Sequence, residues 1–203
     1  MWGRLRAEAD RRGASFCTLK AQGILAADFF TVEAAWLRTL DVLFFVELSS
    51  RRVHLAGVTA NPDCAWVSQQ ARSLAIEERL EKMRFLLHDR DAKFSGPFDE
   101  ILRSEGVRVI KTPVRAPRAN AVAERWVRSV GNACLDHLLV LGRRHLEWVL
   151  RGYLAHFNAE RPHRSPALVP PAGSPRSRGS PSAEIRRRDV LGGLIHKYYS
   201  AAA

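Results

Sequence analysis

The stretch ILAADFFTV, residues 24–32, is apolar on both alternating faces except at Asp28. Continuous apolar character over this length is typical of a central strand that is buried on both sides. An ionised carboxylate inside such a strand is costly unless something compensates its charge. The stretch therefore predicts a central strand and leaves two interpretations of Asp28. It is a ligand of a divalent cation, or it is bonded to an arginine, a hydroxyl group or the neighbouring backbone.

Strands and helices follow this stretch in a regular order. Residues 42–48 and 53–59 predict two more strands joined by a polar turn, so the first three strands form an antiparallel meander, with Asp41 at the exposed start of the second. After the first helix, a fourth and a fifth strand are predicted, with one helix between them and two helices after the fifth strand. The predicted strands are 84–89 and 107–113, and the helices lie near 61–80, at 98–106, from 121 onwards and at 143–161. This order indicates an α/β fold with a mixed five-stranded sheet flanked by helices.

The composition favours a polyanionic partner. The 203 residues include 32 Lys and Arg against 21 Asp and Glu, a net charge of +11, which points to nucleic acid first. Three cysteines without a CxxC pattern cannot all pair within the chain, which favours a reducing, cytoplasmic setting. No signal peptide is recognisable, and no run approaches the roughly 18 apolar residues of a membrane span. We therefore expect a cytoplasmic protein without a membrane partner.

Composition also divides the chain. Residues 1–21 are basic and too few for a domain, so they are interpreted as a linker or as the end of something missing. Residues 22–168 carry all the predicted elements. From Pro166 the chain is rich in Pro, Gly, Ser and Arg, which predicts a basic, largely disordered tail at 169–203, with a few ordered residues expected in its last stretch, VLGGLIHKYYSAAA, 190–203.

Two further acids stand where a ligand crevice is expected. Asp89 closes the fourth strand, and the carboxyl ends of parallel strands border such crevices. Glu124 lies about one turn into a helix that Asn120 could cap. Other interpretations are a solvated strand end for Asp89 and, for Glu124, an acid that faces the helix dipole or pairs with Arg128. Together with Asp28, these carboxylates suit Mg²⁺ or Mn²⁺, and two such ions about 4 Å apart support in-line phosphoryl displacement.

A basic strip accompanies these acids. Between positions 103 and 128 the only acids are Glu105 and Glu124. Such a strip would neutralise a nucleic-acid backbone, and the alternative is a solvated basic face. Its members are Arg103, Arg108, Lys111, Arg115, Arg118, Arg125 and Arg128.

Four blocks of the sequence resemble the catalytic core of the DDE recombinases, that is, retroviral-type integrases and bacterial insertion-sequence transposases. They are ILAADFFTVE, LLHDRDAKFSGPFDEIL, APRANAVAERWVRSV and YLAHFNAERPHRSP. The resemblance runs from about Gln22 to Ala167, and 34 residues separate Asp89 from Glu124, close to the usual gap of that family. The Asn-Ala-x-Ala-Glu and Asn-x-x-Arg-Pro-His blocks are the most specific.

The resemblance implies an RNase H-like fold and a metal-dependent enzyme that cleaves DNA and transfers strands during integration or transposition. Asp28, Asp89 and Glu124 would be catalytic and would hold two Mg²⁺ or Mn²⁺ ions. Asp91 would shape the turn or pair with Arg90 or Lys93. The partners implied are transposon ends, target DNA and further copies of the chain, in the bacterial nucleoid and without a small-molecule cofactor. The implied DNA-binding residues are Asn120, Arg118, Arg125, Arg128, Lys111 and Arg115.

One departure keeps alternatives open. Bacterial members of the family usually carry an N-terminal helix-turn-helix region, and residues 1–21 resemble at most a remnant of such a DNA-binding region. The chain could therefore be a truncated, catalytically inactive DNA-binding remnant of a transposase. An RNase H-like nuclease is a further alternative, although the Asn-Ala-x-Ala-Glu and Arg-Pro-His blocks favour the transposase.

Overall fold

A computed structural model of the chain describes residues 22–77, 80–94, 96–112, 121–160, 171 and 185–200. The chain divides into two compact units. One comprises Met1–Asp28, Phe44–Arg51 and Pro62–Ala123, and the other comprises Phe29–Leu43, Arg52–Asn61 and Glu124–Ala203.

A five-stranded mixed sheet contains the strands that the sequence predicts. Its order is β3-β2-β1-β4-β5, and β4 pairs in parallel with both β1 and β5. The short connections between β1, β2 and β3 suit antiparallel neighbours. The bounds are β1 Ile24–Ala34, β2 Arg38–Glu47, β3 Val53–Thr59, β4 Phe85–His88 and β5 Arg108–Lys111.

The second strand corrects one prediction. It begins at Arg38, after a single 3-10 turn, and not near residue 42. Asp41 therefore lies inside β2 and is only 8% exposed, so it is not an exposed strand start. The strand was predicted too short because its first residues are polar and do not belong to an apolar run. The backbone of these residues is paired all the same, so they are part of the strand.

Four α-helices accompany the sheet in the described part of the chain. They are α1 Cys64–Ile76, α2 Gly96–Ser104, α3 Ala121–Ala133 and α4 Arg143–Ala159. Within the first unit α1 packs against α2, and the Asp63 side chain caps α1 by accepting from the Trp66 N–H at 2.7 Å. Within the second unit α4 packs against β3, where the Asn158 side chain bonds both backbone groups of Val53 at 2.8 and 3.0 Å.

The apolar stripe predicted for the last helix is confirmed. Its buried residues recur at helical spacing, as expected of an amphipathic helix packed on a sheet. They are Leu146, Val149, Leu150, Tyr153, Leu154 and Phe157.

A two-stranded hairpin replaces part of the predicted disordered tail. β6 Ile185–Val190 and β7 Ile195–Ser200 pair in antiparallel, so the prediction of disorder is wrong for β6, whereas β7 lies in the stretch where ordered residues were expected. Most of the tail before residue 185 and all of it after residue 200 lies outside the described residues. In the part of the chain that the structure describes, no helix combines the length and the apolar character needed to cross a membrane.

Candidate functional site

Asp28 and Asp89 belong to neighbouring parallel strands of the first unit. The register pairs Leu25 with Leu86 and Ala26 with Leu87, and continuing it by two residues sets Asp28 opposite Asp89. Both carboxylates are half-buried. Because strands β1 and β4 run in the same direction, Asp28 and Asp89 stand level with each other just beyond the carboxyl end of β4. The sheet thus supplies two carboxylates to one edge.

The loop after β4 gives Asp89 and Asp91 different surroundings. Asp89 Oδ1 accepts from the Asp91 N–H at 3.1 Å. Asp91 Oδ1 accepts in turn from the Lys93 N–H at 2.9 Å, its Oδ2 lies 3.7 Å from Lys93 Nζ, and its carbonyl oxygen accepts from the Phe94 N–H at 3.0 Å. The prediction that Asp91 shapes the turn and pairs with Lys93 is confirmed. Among the described residues, Asp89 is bonded through Oδ1 and its backbone carbonyl oxygen, and Oδ2 has no hydrogen bond or ion pair.

A network around the buried pair of His88 and Asp99 adjoins Asp89. The His88 ring is only 2% exposed; its Nδ1 lies 2.5 Å from the Asp89 carbonyl oxygen and its Nε2 lies 3.0 Å from Asp99 Oδ1. Asp99, also 2% exposed, faces two cations through Oδ2, Lys111 Nζ at 3.3 Å and Arg103 at 3.4 Å. Four charged or polar side chains therefore join β4, α2 and β5 and fix the backbone that carries Asp89.

This network gives Lys111 a structural partner. The basic strip made Lys111 a DNA-binding residue, but its ammonium group pairs with the buried Asp99 and holds β5 to α2. A buried carboxylate needs such partners, since its desolvation is otherwise uncompensated. The Lys111 side chain is 47% exposed in spite of this pair, so its DNA-binding role stays a prediction beside the structural one.

Glu124 lies in the first turn of α3, in the second unit, and its side chain is exposed. Arg125 and Arg128 are exposed as well. Among the described residues Glu124 does not form the predicted alternative pair with Arg128, since no ion pair within 4.0 Å joins them. Trp126 anchors α3: its buried ring packs edge-on against the Phe30 ring, with 5.5 Å between the ring centres.

The exposed face of α3 forms an open groove of about 300 Å³. Two guanidinium groups and the polar side chains of Ser129 and Asn132 line it, together with Ala133. Arg125 and Arg128 supply the positive charge. Groups of this kind bind phosphate oxygens without reading sequence.

The described structure does not assemble a complete metal site. Within the ranges given above, no three or more His, Cys, Asp and Glu side chains come together as a group that could hold a metal ion. Asp28 and Asp89 are level in one unit, and Glu124 belongs to the other. Three of the predicted DNA-binding residues, Arg115, Arg118 and Asn120, lie outside the described residues.

Sequence reasoning missed the His88–Asp99 pair. A signal was available, because His88 lies inside a four-residue strand and Asp99 on the apolar side of a short amphipathic helix, where a polar residue needs a partner. Their separation of 11 positions, across a loop, concealed the contact.

Comparisons with known proteins agree with this architecture. Residues 105–171 match the family model of the integrase core domain. A search of curated proteins found no match. The trimeric form of the HTLV-2 integrase catalytic core domain, solved with magnesium, matches with a TM-score of 0.50 at 15% identity over 73% of this chain and 93% of that one. Its dimeric form gives 0.51 at 13% identity over 74% and 92%.

A structure of a larger assembly, an intasome, matches with a higher TM-score. The simian T-cell lymphotropic virus intasome, in complex with the PP2A regulatory subunit B56 gamma, matches with a TM-score of 0.60 at 13% identity. This comparison covers 88% of this chain and 66% of that one. At such identities the likeness establishes the fold, which is the RNase H-like fold of integrase catalytic cores. The family match to the integrase core domain covers residues 105–171, about a third of the chain.

Proposed function

We propose that this chain is the catalytic core of a DDE-type integrase or transposase that cleaves DNA phosphodiester bonds and transfers strands with Mg²⁺ or Mn²⁺. The observation that carries the proposal is the parallel register of β1 and β4, which continues to Asp28 and Asp89 at one edge of the sheet. The family match supports the proposal independently, because the matched residues, 105–171, include Glu124.

The donor set suits hard divalent cations. Carboxylate oxygens select Mg²⁺ and Mn²⁺, and Asp28, Asp89 and Glu124 would hold them. Two such ions, when bound, supply activation of the attacking oxygen and stabilisation of the leaving oxygen. The protein's own part is positional. The His88–Asp99 network holds the Asp89 backbone, and Arg125 and Arg128 on α3 offer guanidinium groups to the phosphates.

Cleavage of DNA tests the proposal. The purified chain is incubated with Mg²⁺ or Mn²⁺ and a labelled duplex carrying the inverted repeats that flank its gene. We expect nicking that depends on the metal and that Glu124→Gln abolishes. The matched control is Glu100→Gln, which removes an equally exposed acid on α2 and should cut like the wild type. Equal cleavage by Glu124→Gln would remove Glu124 from the catalytic set.

The same assay separates the alternatives. A chain that binds this duplex but never nicks it, with either metal, would be a DNA-binding remnant of a transposase. A chain that cuts an RNA–DNA hybrid and leaves the duplex intact would be an RNase H-like nuclease. The integrase core requires cleavage of the duplex.

We further propose that the chain acts as a multimer on DNA. The HTLV-2 catalytic core in its trimeric and dimeric forms and the intasome lend support by likeness of fold. Light scattering with and without the inverted-repeat duplex measures the state. A particle that remains a monomer on DNA would contradict this part of the proposal.

A further inference from the structure

The block YLAHFNAERPHRSP, residues 153–166, plays no part in the site described above. Its described residues, 153–160, include the end of α4, and the side chains of Tyr153 and Asn158 contact other elements of the second unit. Positions five apart on an α-helix point about 140° away from each other, so these two side chains reach different neighbours. The block thus supplies separate connections between α4 and the rest of its unit.

Asn158 fastens α4 to the edge of the sheet. Its Oδ1 accepts from the Val53 N–H at 3.0 Å, and its Nδ2 donates to the Val53 carbonyl oxygen at 2.8 Å. Val53 opens β3, which is the outermost strand in the sheet order. An edge strand presents unpaired backbone groups, and a primary amide supplies both the donor and the acceptor that they need. This contact therefore completes the pairing at the sheet edge.

Tyr153 connects α4 to α3. It is only 1% exposed, and its hydroxyl donates to the Ser129 carbonyl oxygen at 3.1 Å. A helical carbonyl oxygen has a second lone pair beside the one used within the helix, so it can accept this additional bond. The Tyr153 ring packs against Phe157, with 6.0 Å between the ring centres. Because the ring is held on its own helix, the hydroxyl is a fixed point to which α3 is bonded.

This bond determines what the apolar contacts of α3 leave open. The buried residues of the helix include Trp126 and Val130, and its exposed ones include Glu124, Arg125 and Arg128. Apolar burial is non-directional, so a helix held by burial alone can turn or slide by a small amount. A hydrogen bond has a narrow range of distances and angles, so it fixes the rotation of the helix about its axis. The rotation of α3 determines where Glu124 and the guanidinium groups point.

We propose that Tyr153 is a positioning residue for α3. Its hydroxyl holds the rotation of the helix that carries Glu124 and the two arginines of the groove, whereas Asn158 has a structural role alone. The inference deepens the proposed function and rests on it for the part that concerns catalysis. The hold of the hydroxyl on α3 is measurable without DNA or metal, so the inference and the proposed function can fail separately.

Hydrogen exchange of the full chain tests the hold on α3. Tyr153→Phe removes the hydroxyl group and keeps the ring. We expect the amides of α3 to exchange about fivefold faster than in the wild type, which is the effect of one net hydrogen bond on local opening, and those of α1 to exchange at the wild-type rate. Tyr198→Phe, which removes a hydroxyl from a residue that is 66% exposed, is the matched control and should change neither. Unchanged exchange in α3, or equal acceleration in α3 and α1, would overturn the inference.

Cleavage of the inverted-repeat duplex tests the consequence for catalysis. At a temperature where circular dichroism shows both proteins to be folded, Tyr153→Phe should lower kcat about tenfold and change KM by less than about twofold. The reason is that the geometry of a catalytic carboxylate tolerates little displacement, whereas exposed guanidinium groups adapt to the phosphates. A wild-type kcat in Tyr153→Phe would contradict the positioning role. Absence of nicking by the wild type would defeat the proposed function instead, and the exchange of α3 would then decide the role of the hydroxyl.

A second variant in the same block separates positioning from stability. Asn158→Ala removes two hydrogen bonds, so it should lower the midpoint of urea unfolding at least as far as Tyr153→Phe does. Its kcat, measured under the same conditions, should nevertheless stay within about twofold of the wild type. If Asn158→Ala lost as much of kcat as Tyr153→Phe, both losses would follow from stability and the inference would fail.

Discussion

Two groups of charged side chains differ in their contacts: those at the carboxyl end of β4 are bonded to the protein, and those on the first turns of α3 are exposed. Around Asp89 the charges are bonded: the carboxylate accepts from the loop backbone, and His88 and Asp99 are buried behind it. On α3, Arg125 and Arg128 are exposed beside an open groove. The comparison separates two tasks. A rigid frame can orient a carboxylate, whereas solvated guanidinium groups adapt to a phosphate backbone that arrives from outside.

The largest effect is expected where the frame is most buried. Asp99→Ala leaves His88 without one of its two acceptor oxygens and releases Lys111 and Arg103. The buried His88 ring nitrogen then lacks a partner, which costs about 1–3 kcal/mol, and the half-exposed Lys111 and Arg103 add little, so the free energy of unfolding should fall by about that amount. Urea denaturation measures it.

Asp136→Ala, an exposed acid beyond α3, is the control for this substitution and should leave stability within about 0.5 kcal/mol of wild type. DNA cleavage by Asp99→Ala should fall as well, at temperatures where the variant is folded. Unchanged stability would mean that the network does not frame Asp89.

A smaller effect, on binding alone, is expected on the open side of the comparison. Arg128→Gln should reduce the salt slope of duplex binding by about one and weaken affinity at low salt, because one phosphate contact is lost. The free energy of unfolding should not change, since no described ion pair involves this side chain. Arg144→Gln on α4 is the matched control, and identical binding curves for the two variants would argue against the groove.

The smallest effect belongs to Asp91. Asp91→Asn keeps an oxygen for the Lys93 N–H and loses only the attraction to Lys93 Nζ at 3.7 Å, a partly exposed pair. Such pairs contribute about 0–1 kcal/mol, so stability should change by less than that. Thermal unfolding at low and high salt checks this, because the difference from wild type should shrink as salt increases.

Periodicity in the sequence predicted much of the fold. Residues 53–59 were predicted as a strand and form β3, and the apolar stripe of α4 was predicted residue by residue. These elements repeat a local pattern, so local information suffices. In the candidate site, the separate role of Asp91 was implied by the resemblance to the DDE recombinases, and the hydrogen bond that it accepts from the Lys93 N–H agrees with it.

Non-local contacts account for what was not predicted. Trp36 and Leu37 form the turn between β1 and β2 with positive φ angles of 59° and 57°, which bulky residues rarely adopt. Next to them the Ala35 N–H donates to the Val140 carbonyl oxygen at 2.7 Å, a contact that joins distant parts of the sequence. The hairpin likewise depends on Leu191 meeting α4, and its arginine-rich strand resembles a disordered tail in composition alone.

The cysteines show the same limit on a small scale. The count of three cysteines indicated a reducing setting, but it did not indicate which of them are buried and which are exposed. Burial raises the pKa of the Cys134 thiol to about 11, whereas Cys64 is exposed. In a Cys17→Ser background, a thiol reagent at pH 8 should modify Cys64 quickly and Cys134 only after unfolding, because the thiolate is the reactive form. Equal rates in the folded chain would contradict the buried position of Cys134.

Metal-dependent cleavage by Asp28→Asn, Asp89→Asn and Asp91→Asn, measured side by side on the inverted-repeat duplex, tests the central claim most directly. The register of β1 and β4, continued by two residues, sets the first two acids opposite each other, and Asp91 lies in the loop. We expect Asp28→Asn and Asp89→Asn each to lose several kcal/mol of transition-state stabilisation, about a thousandfold in rate, while Asp91→Asn remains active. Cleavage that survives in Asp89→Asn and disappears in Asp91→Asn would contradict the account.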